Sequence, residues 1–336
     1  MARNPPPVVV TDLAELGRLR RLLQGNPWLY LGTEVSGRQR AEGLLGREDR
    51  INPGDRLRQL TRELRQPFLD FVASVGALQR DSIAWWSTRF SWRIWTASDL
   101  FLLICYAALA EQEAASSAQG DQPLTIVVED PWLLRQLKEN LSAHRAQVTV
   151  VGARGRLFFR KAGLATSGIL RRALWLWRTL LAYLRQKRWW PKKGLVIPRE
   201  PAVAICTHPL ASSAEKAGEW EDPHLPGVDR LLEGAGLKVL RFCPPEPHGL
   251  EREIARRAPT FHPLILWVYP GGLWRALTAF WRPRWPSRLR VGAIRVGWLC
   301  ARESWLEAGR AGLCGFRLFY ECLDRMLAQG DWRWVL

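Results

Sequence analysis

A strand, an acidic turn, a helix and a second strand fall within residues 124–151, and this succession constrains the fold more than any other feature. Leu124 to Val128 (LTIVV) is a short β-branched run, Glu129-Asp130-Pro131 breaks it, Trp132 to His144 is amphipathic at helical spacing, and Gln147 to Val151 (QVTVV) is β-branched again. Two strands joined through a helix form a βαβ unit, which predicts a parallel α/β sheet. The pattern returns with Ala202 to Cys206 (AVAIC) as a strand, Pro226 to Gly234 as a helix and Leu237 to Phe242 (LKVLRF) as the paired strand. Two such regions predict two Rossmann-like lobes: residues 1–155, a connecting segment 156–198, and a second lobe 199–336. With 336 residues, 47% of them hydrophobic, the chain has the size and apolar content for two domains.

The remaining elements are read around this frame. In the first 50 residues, Asn26 to Leu31 (NPWLYL) is one strand followed by a turn. From Gly54, Leu57, Leu60, Leu64, Phe68 and Phe71 recur at helical spacing, with Pro67 a point of kinking or division. Ile83 to Trp86 reads as a short strand, and Ser98 to Glu113 as a helix with Ser98 and Asp99 suited to its N-cap. Met1 to Val10 lacks the apolar core and cleavage site of a signal peptide, so a cytoplasmic location is expected. Six cysteines lie far apart with no CxxC and no Cys/His cluster, which suggests small buried hydrophobes and neither a disulfide framework nor a metal site. The chain ends on Trp334-Val335-Leu336, as a second lobe that is incomplete would.

The net charge of +17 is concentrated in two tracts. Residues 140–199 hold fourteen Lys or Arg and no acid, and residues 254–302 hold nine Arg and no acid, so the two tracts exceed the net charge of the whole chain. Local charge of one sign focuses a field on anionic partners. Within the first tract Leu170, Ala173, Leu174, Trp177, Leu180, Leu181 and Leu184 share one helical face, while Arg171, Arg178 and Arg185 recur every seven residues beside it. Arginines interrupt every apolar run, so the segment does not span a bilayer. It suits the headgroup plane, with Arg171, Arg172, Trp177, Arg178, Arg185, Lys187, Arg188, Trp189 and Trp190 as the membrane-binding set. The alternative is a domain-linking helix packed on the core, its arginines solvated. In the second tract Trp267, Trp274, Trp281 and Trp285 interleave with Arg275, Arg282 and Arg284, either a lipid- or nucleotide-binding surface or a helical subdomain with tryptophan in its core.

No P-loop, GxGxxG, HExxH, GxSxG or DxD signature is present. Gly152-Ala153-Arg154-Gly155-Arg156 after a strand is either a weak phosphate loop or a turn. Two constellations carry chemistry. Trp85, Trp86, Ser87, Thr88 and Arg89 supply two stacking faces and hydrogen-bond donors for a sugar or base, unless the tryptophans fill space between sheet and helix. Thr207 and His208 follow the strand ending at Cys206, and Glu219, Glu221, Asp222 and His224 precede the next helix. A histidine beside carboxylates at a strand's end suits a general base, and a solvated loop is the alternative.

The WWxTxFSxR stretch from Trp85 to Arg93, SDLF at Ser98 to Phe101, TIVVED at Thr125 to Asp130, the basic aromatic helix and the segment Ala204 to Leu240 together resemble bacterial surface-carbohydrate biosynthesis proteins related to GT-B glycosyltransferases. The resemblance covers roughly residues 25–245; the aromatic that the family places after Asp222 is replaced here by His224 or Leu225. It implies a GT-B arrangement, the second lobe incomplete, that transfers a sugar from a nucleotide-sugar donor to a lipid-linked or polysaccharide acceptor. No metal or other cofactor is implied, and the expected place is peripheral, at the inner membrane leaflet. By the same resemblance Trp85, Trp86, Ser87, Thr88 and Arg89 line the acceptor side, Thr207 faces it, and His208 and Asp222 are catalytic. A missing part of the second lobe leaves the activity of this form open. No nucleic-acid partner is expected; a nucleic-acid-binding protein using the basic tryptophan tracts, or a non-catalytic envelope scaffold, is the alternative.

Overall fold

The structure is a computed structural model and describes residues 8–91, 98–120, 122–142, 148–152, 154–190, 202–206, 227–244, 261–280, 283–330 and 332–335. The chain forms two compact units that are not contiguous in sequence. The first comprises Met1–Thr166 and Trp281–Gly309, and the second comprises Ser167–Phe280 and Arg310–Leu336. Residues 281–309, expected in a second lobe beginning at 199, therefore belong to the first unit, and the connecting helix is divided between the units.

The first unit is built on a parallel sheet of β1 (Val8–Asp12), β2 (Trp28–Leu31), β3 (Leu124–Val128) and β4 (Val148–Val151), in the order β2-β3-β1-β4. β3 and β4 lie in one parallel sheet as expected, with β1 between them, Val10 opposite both Ile126 and Val150. Strands covered on both faces read as continuous apolar runs, and β2 and β3 are buried throughout. Trp28 and Tyr30 project from β2 into a cluster with Leu16 and Leu23 of α1 (Leu16–Leu23) and Ala41 and Leu45 of α2 (Val35–Leu45). The Trp28 indole N–H is satisfied by the carbonyl of Gly46 at 2.8 Å.

Four more helices precede β4. α3 (Gly54–Ala77) runs unbroken through Pro67 and buries Leu60, Leu64, Phe68 and Phe71, so the expected point of division does not end it. Ile83–Trp86 is a helical turn, α4, and not the strand expected. The Ser82 hydroxyl accepts the amide of Trp85 at 3.3 Å, and this cap outweighs the β propensity of an aromatic pair. α5 (Leu100–Gly120) starts where Ser98 accepts the amide of Leu100 at 3.1 Å. α6 (Pro131–Leu141) starts where one oxygen of Asp130 accepts the amides of Trp132 and Leu133 at 2.8 and 3.1 Å, with Pro131 preset for the first turn.

The second unit holds a parallel sheet in the order β10-β5-β6-β7, from β5 (Ala202–Cys206), β6 (Lys238–Cys243), β7 (Phe261–Pro263) and β10 (Trp332–Val335). The expected pairing of the AVAIC and LKVLRF strands is present, with α8 (Val228–Gly234) before the second. Its core joins Ala204 and Phe242 to a 3-10 turn (Leu264–Trp267), Ala276 of α9 (Pro270–Leu277) and Leu318, Cys322 and Met326, with Trp175 packed against it. The first unit is completed by a small hairpin, β8 (Arg290–Val291) with β9 (Ile294–Arg295), and α10 (Gly297–Ala308). α11 (Gly312–Leu327) carries Leu318, Cys322 and Met326 in the second. The protein is thus α/β with parallel, Rossmann-like sheets.

The 36-residue helix α7 (Arg154–Trp189) contains most of the first basic tract. Among the described residues no helix is long and apolar enough to cross a membrane. Five of the six free cysteines are buried and Cys206 is half-buried; burial pushes the thiols of Cys243 and Cys322 up to about 12, as inert core residues require.

Candidate functional site

The four parallel strands of the first sheet end in acidic or glycine residues at one edge: β1 in Asp12, β2 just before Gly32, β3 just before Glu129 and Asp130, and β4 just before Gly152. The carboxyl edge of a parallel sheet is where open α/β folds place ligands. A pocket of about 610 Å³ opens there, lined by Gly32, Thr33, Glu34, Asp99, Tyr106, Glu129, Asp130, Arg156, Phe159, Arg160 and Arg302, among others. That volume lies in the ordinary range for small-molecule sites.

Glu129 ties the edge together. Its Oε2 accepts the amide of Thr33 at 2.9 Å, that of Glu34 at 3.3 Å and the Tyr30 hydroxyl at 3.4 Å. All three bonds fall on one oxygen, and among the described residues the other accepts none, which leaves its lone pairs for a ligand hydroxyl. The carboxylate reaches these amides because residue 32 is glycine: a Cβ there would stand 2.3 Å from Oε2 and 2.7 Å from the Tyr30 oxygen. Burial first, and then Glu129, raises the pKa of Tyr30 above the ordinary tyrosine value. Burial likewise raises that of Tyr106, helped by Glu129 and Asp99, and its hydroxyl donates to the Gly32 carbonyl at 3.2 Å. Both phenols therefore stay protonated and act as donors.

Asp130 works with both oxygens. One caps α6, and the other accepts Arg302 Nε at 2.7 Å. Arg302 also donates to Glu303 at 2.7 Å and reaches Asp99 at 3.5 Å. Burial disfavours its charge, but Asp130, Glu303 and Asp99 outweigh that and hold its pKa above the usual guanidinium value. Burial pushes the Glu303 carboxyl up, opposed by Arg302 and by the Ser98 hydroxyl, which donates to it at 2.7 Å. The amide of Trp298 donates to Gln136 at 2.8 Å, so α10 is fastened to α6 at two levels.

Two of the cations lining the pocket come from the first turns of α7. Arg156 Nη1 is buried without a hydrogen bond and stands 3.7 Å from Asp12 Oδ2. Arg160 is exposed and lines the pocket. The pocket thus presents carboxylates, two guanidiniums from α7, and the rings of Tyr106 and Phe159. Among the described residues no group of three or more His, Cys, Asp or Glu could hold a metal ion.

The residues singled out from sequence fall differently. Trp85 is 2% exposed, packs edge-on to Phe90 at 5.5 Å and closes over Gly76; it fills the core instead of presenting a stacking face. Ser87 and Thr88 are buried, their hydroxyls donating to the carbonyls of Ala84 and Trp85 at 2.9 and 2.8 Å. Trp86 and Arg89 are exposed; the Trp86 indole donates to the Arg80 carbonyl at 2.8 Å. None of the five lines the pocket. Thr207, His208 and Asp222 lie outside the described residues.

Of the membrane-binding set, Arg171, Trp177, Arg178, Arg185, Lys187, Arg188 and Trp189 are exposed. Arg172 is not: it is 8% exposed, donates to the Leu277 carbonyl at 3.0 Å and stacks on Phe280 at 4.2 Å. Trp190 is half-buried, its ring 6.3 Å from that of His262. Arg172 therefore faces the interior of the second unit, and Trp190 is half-buried beside His262. Gly152 follows β4, and a Cβ there would meet Leu134 at 2.4 Å, so close packing accounts for this glycine of the weak phosphate loop.

Glu129 and Asp130 were visible in the sequence as an acidic turn, and their place at a strand's end was the usable signal. Tyr106, Arg160 and Arg302 had none, because only the tertiary fold brings them to that edge. No family model matches the chain, and neither a curated protein nor a solved structure matches it.

Proposed function

We propose that the pocket at the carboxyl edge of the first sheet binds a sugar carrying a phosphate group, and that the protein is a glycosyltransferase-like protein of surface-polysaccharide biosynthesis. In that role a nucleotide-sugar is the donor and a lipid-linked or polysaccharide chain the acceptor. The observation that carries the reading is the pocket's composition. Carboxylates with unused lone pairs suit the hydroxyls of a sugar, the Tyr106 and Phe159 rings suit its apolar face, and Arg156 and Arg160 suit a phosphate. A phosphate alone would leave Glu34, Asp99 and Glu129 opposed to like charge, and a neutral sugar would make no use of the positive charge of Arg160 or of the Arg156 guanidinium beside Asp12. In the transfer itself the acceptor oxygen bonds to the anomeric carbon, the bond to the nucleoside diphosphate breaks, and the hydroxyl proton passes to a base. His208 and Asp222 are the proposed catalytic residues.

The test is calorimetric titration of the full chain with hexose 1-phosphates, nucleotide-sugars, free sugars and inorganic phosphate. The reading expects a sugar phosphate or nucleotide-sugar to bind more tightly than either half alone, and Arg160→Ala, at an exposed position, to weaken it about tenfold. Equal binding by the Arg160→Ala protein, or preference for inorganic phosphate alone, would refute it.

A further inference from the structure

The helix α7 buries the opposite face from the one its sequence marks as apolar. Gly168, Arg172, Thr179, Ala182 and Gln186 are buried, and Trp175 packs on the core of the second unit. On the other side Leu170 is 65% exposed, Leu174 49%, Trp177 60% and Leu184 59%. A helix packed on a protein core turns its apolar stripe inward and its polar stripe to water. Here the polar stripe is inside, satisfied in part by the Arg172 contacts to Leu277 and Phe280. The outward stripe continues through four turns, where scattered exposed hydrophobics would be ordinary but a contiguous apolar face is not.

We propose that this outward face of α7, from Leu170 to Leu184, docks on an anionic lipid bilayer with the helix lying in the headgroup plane. Charge decides the occupant. Arg171, Arg178 and Arg185 are exposed at heptad spacing along the flank, and Lys187 and Arg188 follow at the end. Residues 154–189 contain no acid. A second copy on this face would set one row of arginines against an identical row, with no carboxylate on either helix to offset them. An anionic bilayer offers what both parts of the face need, acyl chains for Leu174 and Trp177 and phosphates for the arginines. The arginine row and the length of the apolar runs keep the helix at the surface, since no described helix can cross a membrane. The docking face lies in the second unit and the pocket in the first, so the two proposals stand or fall separately.

Flotation of the full chain with phosphatidylcholine vesicles, with and without phosphatidylglycerol, at low and high salt, tests this. The protein floats with the anionic vesicles and keeps part of that binding at high salt. Leu174→Ser with Trp177→Ser weakens vesicle binding by at least about tenfold, as does Arg171→Glu with Arg178→Glu and Arg185→Glu, with melting temperatures unchanged because these side chains are exposed. Flotation unaffected by either set overturns the proposal, as does no binding to anionic vesicles at low salt. A dimer abolished by Trp177→Ser with no flotation would put a second copy on the face. Capture by an oligonucleotide in place of vesicles, lost at high salt, would put nucleic acid there. Either outcome also overturns it.

Discussion

Arg302 Nε donates to Asp130 Oδ2 at 2.7 Å, across 172 residues of sequence, and this bond fixes α10 to the turn at which β3 becomes α6. The guanidinium is largely buried, 12% exposed, and serves three carboxylates. Arg302→Met leaves the buried Glu303 and the partly buried Asp130 without their counter-ion. We expect a loss of about 3 kcal/mol, read by urea denaturation. A change below about 1 kcal/mol would mean that the carboxylates are hydrated and that the cluster does not hold α10.

Gly32→Ala tests the pocket geometry at the Glu129 carboxylate. The new Cβ cannot coexist with the Glu129 carboxylate at 2.3 Å, so Glu129 must leave the amides of Thr33 and Glu34. The expected result is weakened sugar-phosphate binding of about tenfold or more together with a lowered melting temperature. Binding that survives intact would show that Glu129 does not shape the pocket.

Trp85 and Trp86 give opposite expectations although they are neighbours. Trp85→Ala opens a cavity beside Phe90 and Gly76 and should cost about 3–5 kcal/mol. Trp86→Ala, at an exposed site, should cost less than about 1 kcal/mol. Denaturant midpoints of the two variants check both, and equal costs would contradict the packing described.

Acid sensitivity should arise in part at Glu321. Arg275 donates to its two oxygens at 2.9 and 2.6 Å, Tyr269 donates at 2.7 Å and Arg317 pairs at 2.5 Å, so its pKa is lowered from 4.5 to about 2, with the Arg275 hydrogen bonds the largest cause and burial opposing. A depressed carboxylate contributes stability that is present above its unfolded pKa and lost as pH falls through the folded one. The melting temperature should therefore fall from about pH 4.5 toward pH 2, and Glu321→Gln should be less stable at neutral pH but lose less on acidification. Parallel pH curves for the two proteins would contradict the assignment.

Much of the fold was legible because β-branched runs bounded by breakers, such as Leu124 to Val128, are strong local signals. The clearest case among the helices is Asp130-Pro131, which announces α6 by cap and preset backbone. β1 was not read as a strand, since Val8–Asp12 follows three prolines and forms its pairs with strands more than 100 residues away. The helix α7 shows another limit. Its hydropathy pattern located the apolar stripe, but which side of a helix meets a neighbour depends on contacts such as Arg172 with Phe280, which no local window contains. The same reason hid Arg302 from the candidate site.

A crystal structure of the protein soaked or grown with a hexose 1-phosphate or nucleotide-sugar tests the pocket reading most directly. The account predicts the sugar against Glu129 and Tyr106 and its phosphate against Arg156 and Arg160. Ligand bound elsewhere, or a pocket that stays empty at saturating ligand, would contradict it.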